Sequence, residues 1–574
     1  MTARPHFLPA DLFGLDPLAR SALSDRPRPK GLGGLVVPNS VASVPEPARQ
    51  GAGRSSDEFP EIAERSELAD LLKAQLEPLG VHPALQEACE KLGRPDSACV
   101  VAGQQPGLAG GPLLHLHKAL HAVRLAAELE RTWNRPVVAV FWNHGDDHDL
   151  AEGQYLWLRN KHHDPCRLVL PNLGSGRRSF ASVLLSEEQH QLVAFEQSVR
   201  ATLSRGEEAV RPLELFLPRA GETLERAFTR VLTRLTGHLG LVVLEASALR
   251  PLASRVLARI VTNQLEAPLE EARNRLQRAG FEEPGHSNEP GTAWLFGEEE
   301  GARRALRTGG DGFRYDGEPG SRTAVELAAE IAAEPRRFSA GALLRTIVQD
   351  ALLPNAATVG GFGELRYWAR TPEIRSSLGL APPVFVPRAH VTLTTPAVRR
   401  AMGRAQVQAG SLLRDPAKTQ AEARQKSAEQ TELDRRAGEA QEPDPAMSIR
   451  KIAAQLKKSL AELRPAISEI DRGLSARSRR TVSDVTGHLE SLAKRVERAA
   501  RNRHGRQDRH LRHARSLLRP LDRPQERVLT TLQTTIELEG TDWIDDLARW
   551  IEPFPTEHLL LDLESSPEEQ DEPE

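Results

Sequence analysis

The chain has few cysteines, almost no net charge and no long apolar run, and each shortage excludes a class of protein. Its three cysteines in 574 residues show no metal-ligand or CxxC spacing, which favours reduced, structural thiols over a disulfide scaffold. The formal net charge of -3 gives no general reason to expect nucleic acid or an anionic membrane as partner. No stretch approaches the roughly 20 apolar residues of a membrane span, and the first residues lack a signal-peptide pattern. We therefore expect a cytoplasmic protein with no membrane partner.

The length and the 39% hydrophobic content allow more than one buried core, so two or three domains are expected. The composition changes along the chain and predicts five segments. They are a Pro- and Gly-rich extension, either an extended strap or mobile, over 1–57; a core with inserted lobes over 58–394; an α-helical coiled coil over 395–520; a C-terminal segment returning to the core over 521–563; and an acidic, disordered tail over 564–574.

The stretch from Cys99 to Glu152 has the pattern of a βαβ unit. Val100 to Ala102 are apolar and end at a loop, Gly103 to Pro112, that carries four glycines. Apolar residues then recur at three- and four-residue spacing, which predicts an amphipathic helix, at Leu113, Leu116, Leu120, Val123 and Ala127. Val137 to Trp142 is the kind of apolar run that is buried in a parallel sheet. The two loops of this βαβ unit therefore follow the carboxyl ends of strands, where open α/β sheets bind ligands.

Later segments extend this α/β pattern. Leu239 to Leu244 predicts another buried strand, followed by a helix from about Pro251 to Gly280. A polar, Gly-rich interval from Glu282 to Ser321 indicates an inserted lobe. A second glycine loop, Gly360 to Glu364, follows the apolar run before it, and Val384 to Val386 predicts a last strand with a basic residue, Arg388, after it.

Beyond Thr395 the apolar residues step by threes and fours. This spacing predicts two heptad helices, interrupted near Gly473 to Arg480, that form an antiparallel coiled-coil hairpin. The apolar positions are Ile449, Ile452, Leu456, Leu460, Leu463, Ile467, Ile470 and Leu474, then Val482, Val485, Leu489, Leu492, Val496 and Ala499. Arg414 to Ala446 is polar throughout and is either a helix outside this bundle or a mobile connection.

The first glycine loop has two interpretations. Backbone amides from Gly107 to Gly111 at a helix N-terminus can hold an anion, or the loop is a tight turn that needs glycine. Neither GxGxxG nor a Gly-Lys-Ser/Thr motif occurs here, so it is neither a dinucleotide fingerprint nor a P-loop. Gln104 and Gln105 add side-chain amides that suit carboxylates or hydroxyls. Lys118 either supplies a cation or is a solvated surface lysine.

The sequence HGDDHD places Asp147, His148 and Asp149 directly after a buried strand. Carboxylates there are costly unless something pairs with them. They either bind a divalent metal, act as general base toward an amine, or bind sugar hydroxyls; alternatively an Asp caps a helix that starts near Leu150. A zinc site is disfavoured because His144 and His148 lack a third ligand at a recognisable spacing.

Together these segments resemble the successive motifs of the bacillithiol biosynthesis cysteine-adding enzymes, also called putative cysteine ligases. The resemblance runs from about Glu58 to Leu563 and is carried by VAGQQPGLAGGPLLHLHKAL, VFWNHGDDHDLAE, LLRTIVQDALLPNAATVGGFGELRYWA, VPR and PQERVL. It implies an α/β fold, with a Rossmann-like parallel-sheet core, connecting-peptide insertions and an antiparallel coiled coil that forms a homodimer. It also implies the joining of L-cysteine, through its carboxyl group, to the amine of glucosaminyl malate.

The resemblance also implies positions for the site. Asp147, His148 and Asp149 would be catalytic. The substrate cleft would be lined by Gln104, Gln105, Gly107, Gly111, Lys118, Gly361, Gly363, Glu364, Tyr367 and Arg388. A second nucleotide site is associated with the region around Gln525, Glu526 and Arg527. Amide formation from a free carboxylate is uphill in water, so ATP or another activating nucleotide is expected, together with Mg²⁺, although the sequence assigns no metal ligands.

Other functions stay open on the sequence alone. The βαβ unit also suits a nicotinamide-dependent oxidoreductase, which the missing fingerprint disfavours. A ligase of the same fold acting on a different amine and a non-catalytic, nucleotide-binding coiled-coil scaffold are the remaining alternatives.

Overall fold

The computed structural model describes residues 3–24, 26–47, 65–80, 82–171, 173, 177–185, 190–203, 206, 211–263, 265–281, 295–299, 301–309, 312–315, 320–439 and 445–563. The predicted acidic tail, 564–574, lies outside these residues. The chain divides into a core unit, formed by Met1–Pro396 with Pro520–Glu574, and a helical unit, Ala397–Arg519. Within the described residues, no helix combines the length and apolarity needed to cross a membrane.

A five-stranded sheet forms the centre of the core unit. Its strands are β2 (Ala98–Gln104), β3 (Val137–Asn143), β6 (Val242–Glu245), β11 (Asn355–Gly360) and β12 (Phe385–Pro387), in the order β12-β11-β2-β3-β6. All neighbouring pairs are parallel. In the register, Gln104 lies opposite Asn143, and Asn143 lies opposite Glu245. The carboxyl ends of β2, β3 and β6 therefore meet at one edge, and the α/β class predicted from the sequence is confirmed.

The composition of these strands explains their burial. Every residue of β3, VVAVFWN, is buried, and β-branched and aromatic side chains suit a strand covered on both faces. Cys99, Val101, Val138 and Val140 pack on one face in a single cluster with leucines and isoleucines of the flanking helices. The helix Leu113–Trp133 contacts β2 and β3 and buries its apolar stripe. Burying each such side chain contributes roughly 1.5–3 kcal/mol.

A second sheet contains one strand from the N-terminal part of the chain and two strands from later parts. β14 (Glu557–Leu563) lies between β1 (Ala3–Pro9), which is antiparallel to it, and β13 (His390–Thr394), which is parallel to it. The predicted N-terminal extension thus contains a paired strand and a helix, Pro17–Ser24, which differs from an extended or mobile strap. The structure also places two strands, β13 and β14, where the sequence predicted none.

Two antiparallel arrangements complete the strands. β4 (Tyr155–Arg159) pairs with β5 (Pro165–Val169). A four-stranded sheet has the order β10-β7-β8-β9, with β7 (Leu295–Glu299), β8 (Ala302–Gly309), β9 (Gly312–Tyr315) and β10 (Phe338–Ala340). β7, β8 and β9 lie in the described part of the interval where a lobe was expected, and β10 follows that interval.

The helices of the core unit surround the sheets. The single helix predicted from Pro251 to Gly280 is two helices, separated after Val261. The helices are Pro17–Ser24, Arg65–Leu76, Pro83–Leu92, Leu113–Trp133, Leu150–Gly153, His190–Leu203, Leu213–Phe216, Leu224–Thr236, Arg250–Val261, Glu266–Arg278, Ala324–Ala333, Ala342–Leu352, Phe362–Trp368, Pro372–Ser377, Thr531–Glu537 and Trp543–Trp550.

The helical unit contains two long helices that pack against each other, Pro445–Ile470 and Arg472–Leu518. They are preceded by Pro396–Ala405, Ala409–Arg414 and Pro416–Glu439. The interruption lies at Asp471, whose side chain accepts hydrogen bonds from the amides of Gly473 and Leu474. The break was predicted near Gly473 to Arg480, but the second helix already begins at Arg472, because Asp471 caps it. The predicted position of the break is therefore wrong.

Candidate active site

The carboxyl edge of the parallel sheet brings together the two loops that the sequence singled out. The amide of His144, after β3, donates to the carbonyl of Gln104 at the end of β2, at 3.0 Å. Gly361, directly after β11, begins the helix Phe362–Trp368 that carries Glu364 and Tyr367. The side chains of the glycine loop, the HGDDHD loop and the GGFGE loop therefore face a common edge.

Lys118 links the first glycine loop to the second. Its ammonium donates to the carbonyl of Gly103 at 2.9 Å, to Gln104 Oε1 at 2.7 Å and to Glu364 Oε2. All three N–H groups of the ammonium thus have acceptors, although the residue is only 1% exposed. Burial lowers the pKa of Lys118, and Glu364 opposes that shift. Of the two interpretations of Lys118, the solvated surface lysine is wrong.

Glu364 is the carboxylate of this cluster. Besides Lys118 it accepts from the amide of Gly361 at 2.8 Å and from the hydroxyl of Tyr367 at 3.0 Å. Burial raises the pKa of Glu364, but Lys118, the amide of Gly361 and the charge of Arg345 outweigh burial and lower it overall. The amide of Gly361 therefore positions the carboxylate of Glu364. Gly363, in contrast, is exposed, and a Cβ at this position would meet no atom within 4 Å.

Tyr367 continues the network to Arg345, a residue the sequence analysis did not single out. Arg345 Nη2 donates to the Tyr367 hydroxyl at 3.1 Å, and Nη1 donates to Gln349 Oε1 at 3.0 Å. Burial, with the nearby charge of Glu364, raises the pKa of Tyr367. The phenol is therefore neutral. Its hydroxyl donates to Glu364 and accepts from Arg345, so it links the two side chains.

Asp147 is held as an ionised carboxylate beside the first glycine loop. Its Oδ2 accepts from Gln105 Nε2 at 2.5 Å, and its Oδ1 accepts from the amide of His148 at 2.6 Å. Arg303 Nη1 lies 3.8 Å from Oδ1. Burial raises the pKa of Asp147, but His144, Gln105 and Arg303 together hold it below its ordinary value. The carboxylate is therefore charged at neutral pH and available as a hydrogen-bond acceptor.

His148 is held in one tautomer. Arg303 Nη1 donates to its Nδ1 at 3.0 Å, so a neutral ring carries its proton on Nε2. Burial and the charges of Arg303 and Arg177 lower the pKa of His148, which keeps the ring neutral. Arg303 is itself fixed by Ser339 Oγ at 3.1 Å and by the carbonyl of Ala340 at 2.9 Å. His148 is therefore a hydrogen-bond donor through Nε2, because its Nδ1 already accepts from Arg303.

Asp149 is exposed and lies at the N-cap position of the short helix Leu150–Gly153. Its side chain makes no capping hydrogen bond there. Its amide lies 3.4 Å from Asp147 Oδ1. The helix predicted to start near Leu150 is thus confirmed with Asp149 at its N-cap position, but without the side-chain capping bond. The predicted catalytic role of Asp149 stays a prediction.

Close contacts leave no room for side chains at two glycines of the first glycine loop. A Cβ on Gly107 would lie 2.7 Å from the Cα of Gly111, and a Cβ on Gly111 would lie 2.4 Å from His115 Nδ1. The amide of Gly111 donates to Leu108, and the first amide of the following helix, Leu113, donates to the carbonyl of Leu529. These amides are therefore taken, which favours the tight-turn interpretation over an anion cradle at this point.

Arg388 and Glu526 join two of the motifs in the interior. Arg388 donates to both carboxylate oxygens of Glu526, at 2.8 and 2.5 Å, and both side chains are almost fully buried. His117 and His390 also contact Glu526 at 3.1 Å. Burial raises the pKa of Glu526, but Arg388 and the two histidines hold it well below its usual range. Arg388 therefore has a partner inside the protein and is not free at the cleft.

Gln525 is bound within the protein in the same way. Its side chain accepts from the amide of Leu393 and donates to the carbonyl of Leu393, each at 2.8 Å. Arg527 is exposed. The structure thus gives Gln525 and Glu526 places in the packing of β13, and the second nucleotide site associated with these three residues stays a prediction.

Glu225 and Arg250, two buried ionisable groups that the sequence did not single out, also lie near the edge. Glu225, on the helix Leu224–Thr236, accepts from Ser247 Oγ, and burial with the charges of Glu245 and Asp146 raises its pKa to about 8. Asp146 is paired with Arg250 at 2.8 Å. A buried glutamate or arginine has no signal in one sequence that separates it from a surface one. Among the described residues, no group of three or more His, Cys, Asp or Glu side chains is placed to hold a metal ion.

Comparison with known proteins gives the same two-part division. A family model described as Bacillithiol biosynthesis BshC, N-terminal Rossmann-like domain, matches residues 48–389, and one described as Bacillithiol biosynthesis BshC, C-terminal coiled-coil domain, matches 391–563. These matches confirm the predicted Rossmann-like and coiled-coil parts.

Relatives named "Putative cysteine ligase BshC" come from several bacteria. The protein from Koribacter versatilis is 30% identical over 444 residues, covering 76% of this chain and 79% of its own. That from Salinibacter ruber is 27% identical over 501 residues, covering 85% and 86%. That from Geobacillus kaustophilus is 28% identical over 511 residues, covering 87% and 90%. The similarity therefore extends over most of both chains.

Proposed function

Because this chain belongs to the bacillithiol biosynthesis BshC family, we propose that it is a cysteine ligase that joins the carboxyl group of L-cysteine to the amine of glucosaminyl malate. Family models match both parts of the chain, and relatives that carry the ligase name align over most of it. The reaction forms one C–N bond. It is therefore an amide-forming ligase reaction.

The observation that carries the proposal is the ionised Asp147 at the carboxyl edge of the sheet. An amine attacks a carbonyl carbon only when its nitrogen lone pair is free, so a base must take up its proton. Asp147 stays charged at neutral pH and is oriented by Gln105. In the proposed step the amine nitrogen bonds to the activated carbonyl carbon of cysteine, the bond from that carbon to its leaving group breaks, and Asp147 accepts the proton from nitrogen.

His148 suits a different role from the base. Its Nδ1 accepts from Arg303, and the proton of the neutral ring is therefore on Nε2. A donor at this position can hydrogen-bond the carbonyl oxygen or a sugar hydroxyl. We assign proton uptake to Asp147 and substrate orientation to His148.

We further propose that the ligase consumes a nucleotide such as ATP. Amide formation from a free carboxylate is unfavourable in water, so the cysteine carboxylate needs a leaving group. Mg²⁺ would enter with the phosphates, because this ion commonly binds through substrate phosphates and one or two carboxylates. Lys118 is already bonded to Glu364 and Arg388 to Glu526, so neither is the cation that receives these phosphates.

The proposal is tested with the purified full chain. It is incubated with glucosaminyl malate, L-cysteine, ATP and Mg²⁺, and the products are followed by mass spectrometry, with each component omitted in turn. We expect the cysteinyl amide only when cysteine and the amine are both present, and nucleotide turnover coupled to it. Absence of the amide with every nucleotide tried would contradict the ligase and favour a non-catalytic scaffold. An amide formed with other amines but not with glucosaminyl malate would contradict the substrate.

We also propose that the helical unit forms a homodimer. On the two long helices, apolar residues at heptad-like spacing are exposed: Ile452, Leu463 and Ile470 on one, and Leu474, Val485 and Leu492 on the other. Exposed apolar stripes of this kind are typical of an interaction surface. The family description of this part as a coiled coil supports the same arrangement.

A further inference from the structure

Arg345 is a buried cation whose hydrogen bonds go to neutral groups. It is 6% exposed, and its guanidinium donates to the amide oxygen of Gln349 and to the hydroxyl of Tyr367. Within the described residues, no carboxylate oxygen lies within 4.0 Å of it. Other arginines near this edge differ, since Arg250 is paired with Asp146 and Arg303 approaches Asp147.

Lys118, Arg345 and Glu364 together carry one more positive charge than negative charge. Lys118 and Arg345 both act on Glu364, and only Lys118 forms an ion pair with it. A buried charge without a counterion is costly, and the cost is removed when an anion pairs with it. Arg345 lies at the end of β2, because a Cβ on Gly103 would be 3.8 Å from its Nη1. The unbalanced charge therefore faces the edge where the glycine and HGDDHD loops meet.

His144 supplies a second unsatisfied group at the same place. Its Nε2 is buried and has no hydrogen-bond partner among the described residues. Its backbone is fixed, since its amide donates to Gln104 at the end of β2. Burial, assisted by the charge of Arg345, lowers the pKa of His144 to about 4, so the ring is neutral at neutral pH. An unpaired buried polar atom is normally satisfied by water or a ligand.

We propose that Arg345 and His144 form a carboxylate-binding subsite that takes the carboxylate of a substrate. The planar guanidinium fork matches a carboxylate, and a neutral imidazole adds a further hydrogen bond. Gln349 and Tyr367 are positioning residues that hold the fork toward the edge. The inference rests on the proposed function, which supplies two sources of carboxylate, cysteine itself and the malate group of glucosaminyl malate.

Calorimetric titration of the full chain separates these sources. The ligands are L-cysteine, cysteamine, which is cysteine without its carboxylate, L-malate and inorganic phosphate. The variants are Arg345→Met, Arg345→Lys and His144→Phe, and the matched control is Arg366→Met, an exposed arginine on the helix that carries Tyr367. Ligand-free melting curves verify that each variant is folded.

We expect L-cysteine or L-malate to bind the wild type and cysteamine not to compete with it. Arg345→Met should weaken this binding at least about 10-fold, whereas Arg366→Met should bind with the affinity of the wild type. His144→Phe should weaken it less. Equal affinity in wild type and Arg345→Met would overturn the inference, as would binding of phosphate alone or of no carboxylate. If Arg345→Met does not fold, Arg345→Lys and His144→Phe replace it. Weaker carboxylate binding in both variants would support the inference, and wild-type affinity in both would overturn it. Amide synthesis by the wild type is a separate result, so a failed ligase assay with intact carboxylate binding would contradict only the proposed function.

Discussion

Asp147 lies between Gln105 and Arg303, and the proposed reaction needs an ionised carboxylate where the amine loses its proton. We predict that Asp147→Asn lowers kcat by roughly 10²–10⁴-fold, the usual range for loss of a general base, while substrate affinity changes less. The measurement is steady-state amide formation. Asp70→Asn, an exposed carboxylate on the helix Arg65–Leu76, is the matched control and should retain the wild-type rate.

The lowered pKa of Asp147 also fixes a pH dependence. Asp147 stays ionised down to below the ordinary aspartate value of about 3.9, so its own protonation does not cause a decline in rate between pH 8 and 6. We assign such a decline to protonation of the substrate amine. We predict that amines of lower pKa shift this limb of the pH–rate profile to lower pH. A limb that stays at the same pH for every amine would identify a protein group instead.

Glu526 is the residue whose loss should affect stability most. Glu526→Gln leaves Arg388 buried without its counterion, which typically costs about 3–5 kcal/mol. Because the folded pKa of Glu526 is depressed, its contribution is full above the unfolded value of about 4.3 and is lost as pH falls through the folded pKa. We predict a lower melting temperature for the variant at pH 7, with a gap to the wild type that narrows in strong acid. Glu87→Gln, which is exposed, should melt like the wild type.

At the scale of elements, the glycine loop is the segment whose shape the site depends on. Gly111 has φ +70° and no room for a Cβ beside His115, so Gly111→Ala should strain the backbone by about 1–2 kcal/mol and displace the loop that carries Gln105. We predict a marked loss of amide synthesis with a small change in melting temperature. Gly403→Ala, in the helix Pro396–Ala405 with nothing within 4 Å, should keep full activity. Equal activity of both variants would show that the loop tolerates the change.

The sequence predicted the elements with strong periodicity and missed those with distant partners. β3 was predicted because Val137 to Trp142 are six consecutive apolar residues, and the strand ends one residue later at Asn143. β1 contains Pro5 and Pro9, and its partner among the described residues is β14, more than 500 residues away, so local propensity gave no signal for it.

The same limit applies to the site. Parallel-strand logic placed Gln105, Asp147 and Glu364 after strands that end at one edge. It could not give their partners, because Lys118 and Glu364 are 246 residues apart and Arg388 and Glu526 are 138 residues apart. Burial turned Arg388 from an expected substrate ligand into a partner of Glu526. Among the described residues it left Arg345 without the nearby carboxylate that Arg250 and Arg303 have.

At the scale of the whole molecule, the helical unit is expected to set the oligomeric state. Replacing Leu463 and Leu492 by lysine puts charges into both exposed apolar stripes, which should abolish association through them. We predict a dimer for the wild type and a monomer for the double variant by sedimentation velocity. Val325→Lys, an exposed apolar residue on the helix Ala324–Ala333 of the core unit, is the control and should stay dimeric. A monomeric wild type, or a dimeric double variant, would contradict the coiled-coil dimer.

The most direct test of the ligase follows the carboxyl oxygens of cysteine. The full chain is given glucosaminyl malate, nucleotide, Mg²⁺ and cysteine labelled with ¹⁸O in both carboxyl oxygens, and the products are examined by mass spectrometry. A ligase that activates this carboxyl group must deliver one labelled oxygen to the amide and the other to the nucleotide fragment or phosphate that leaves. No amide, or an amide without label from cysteine, would contradict the account.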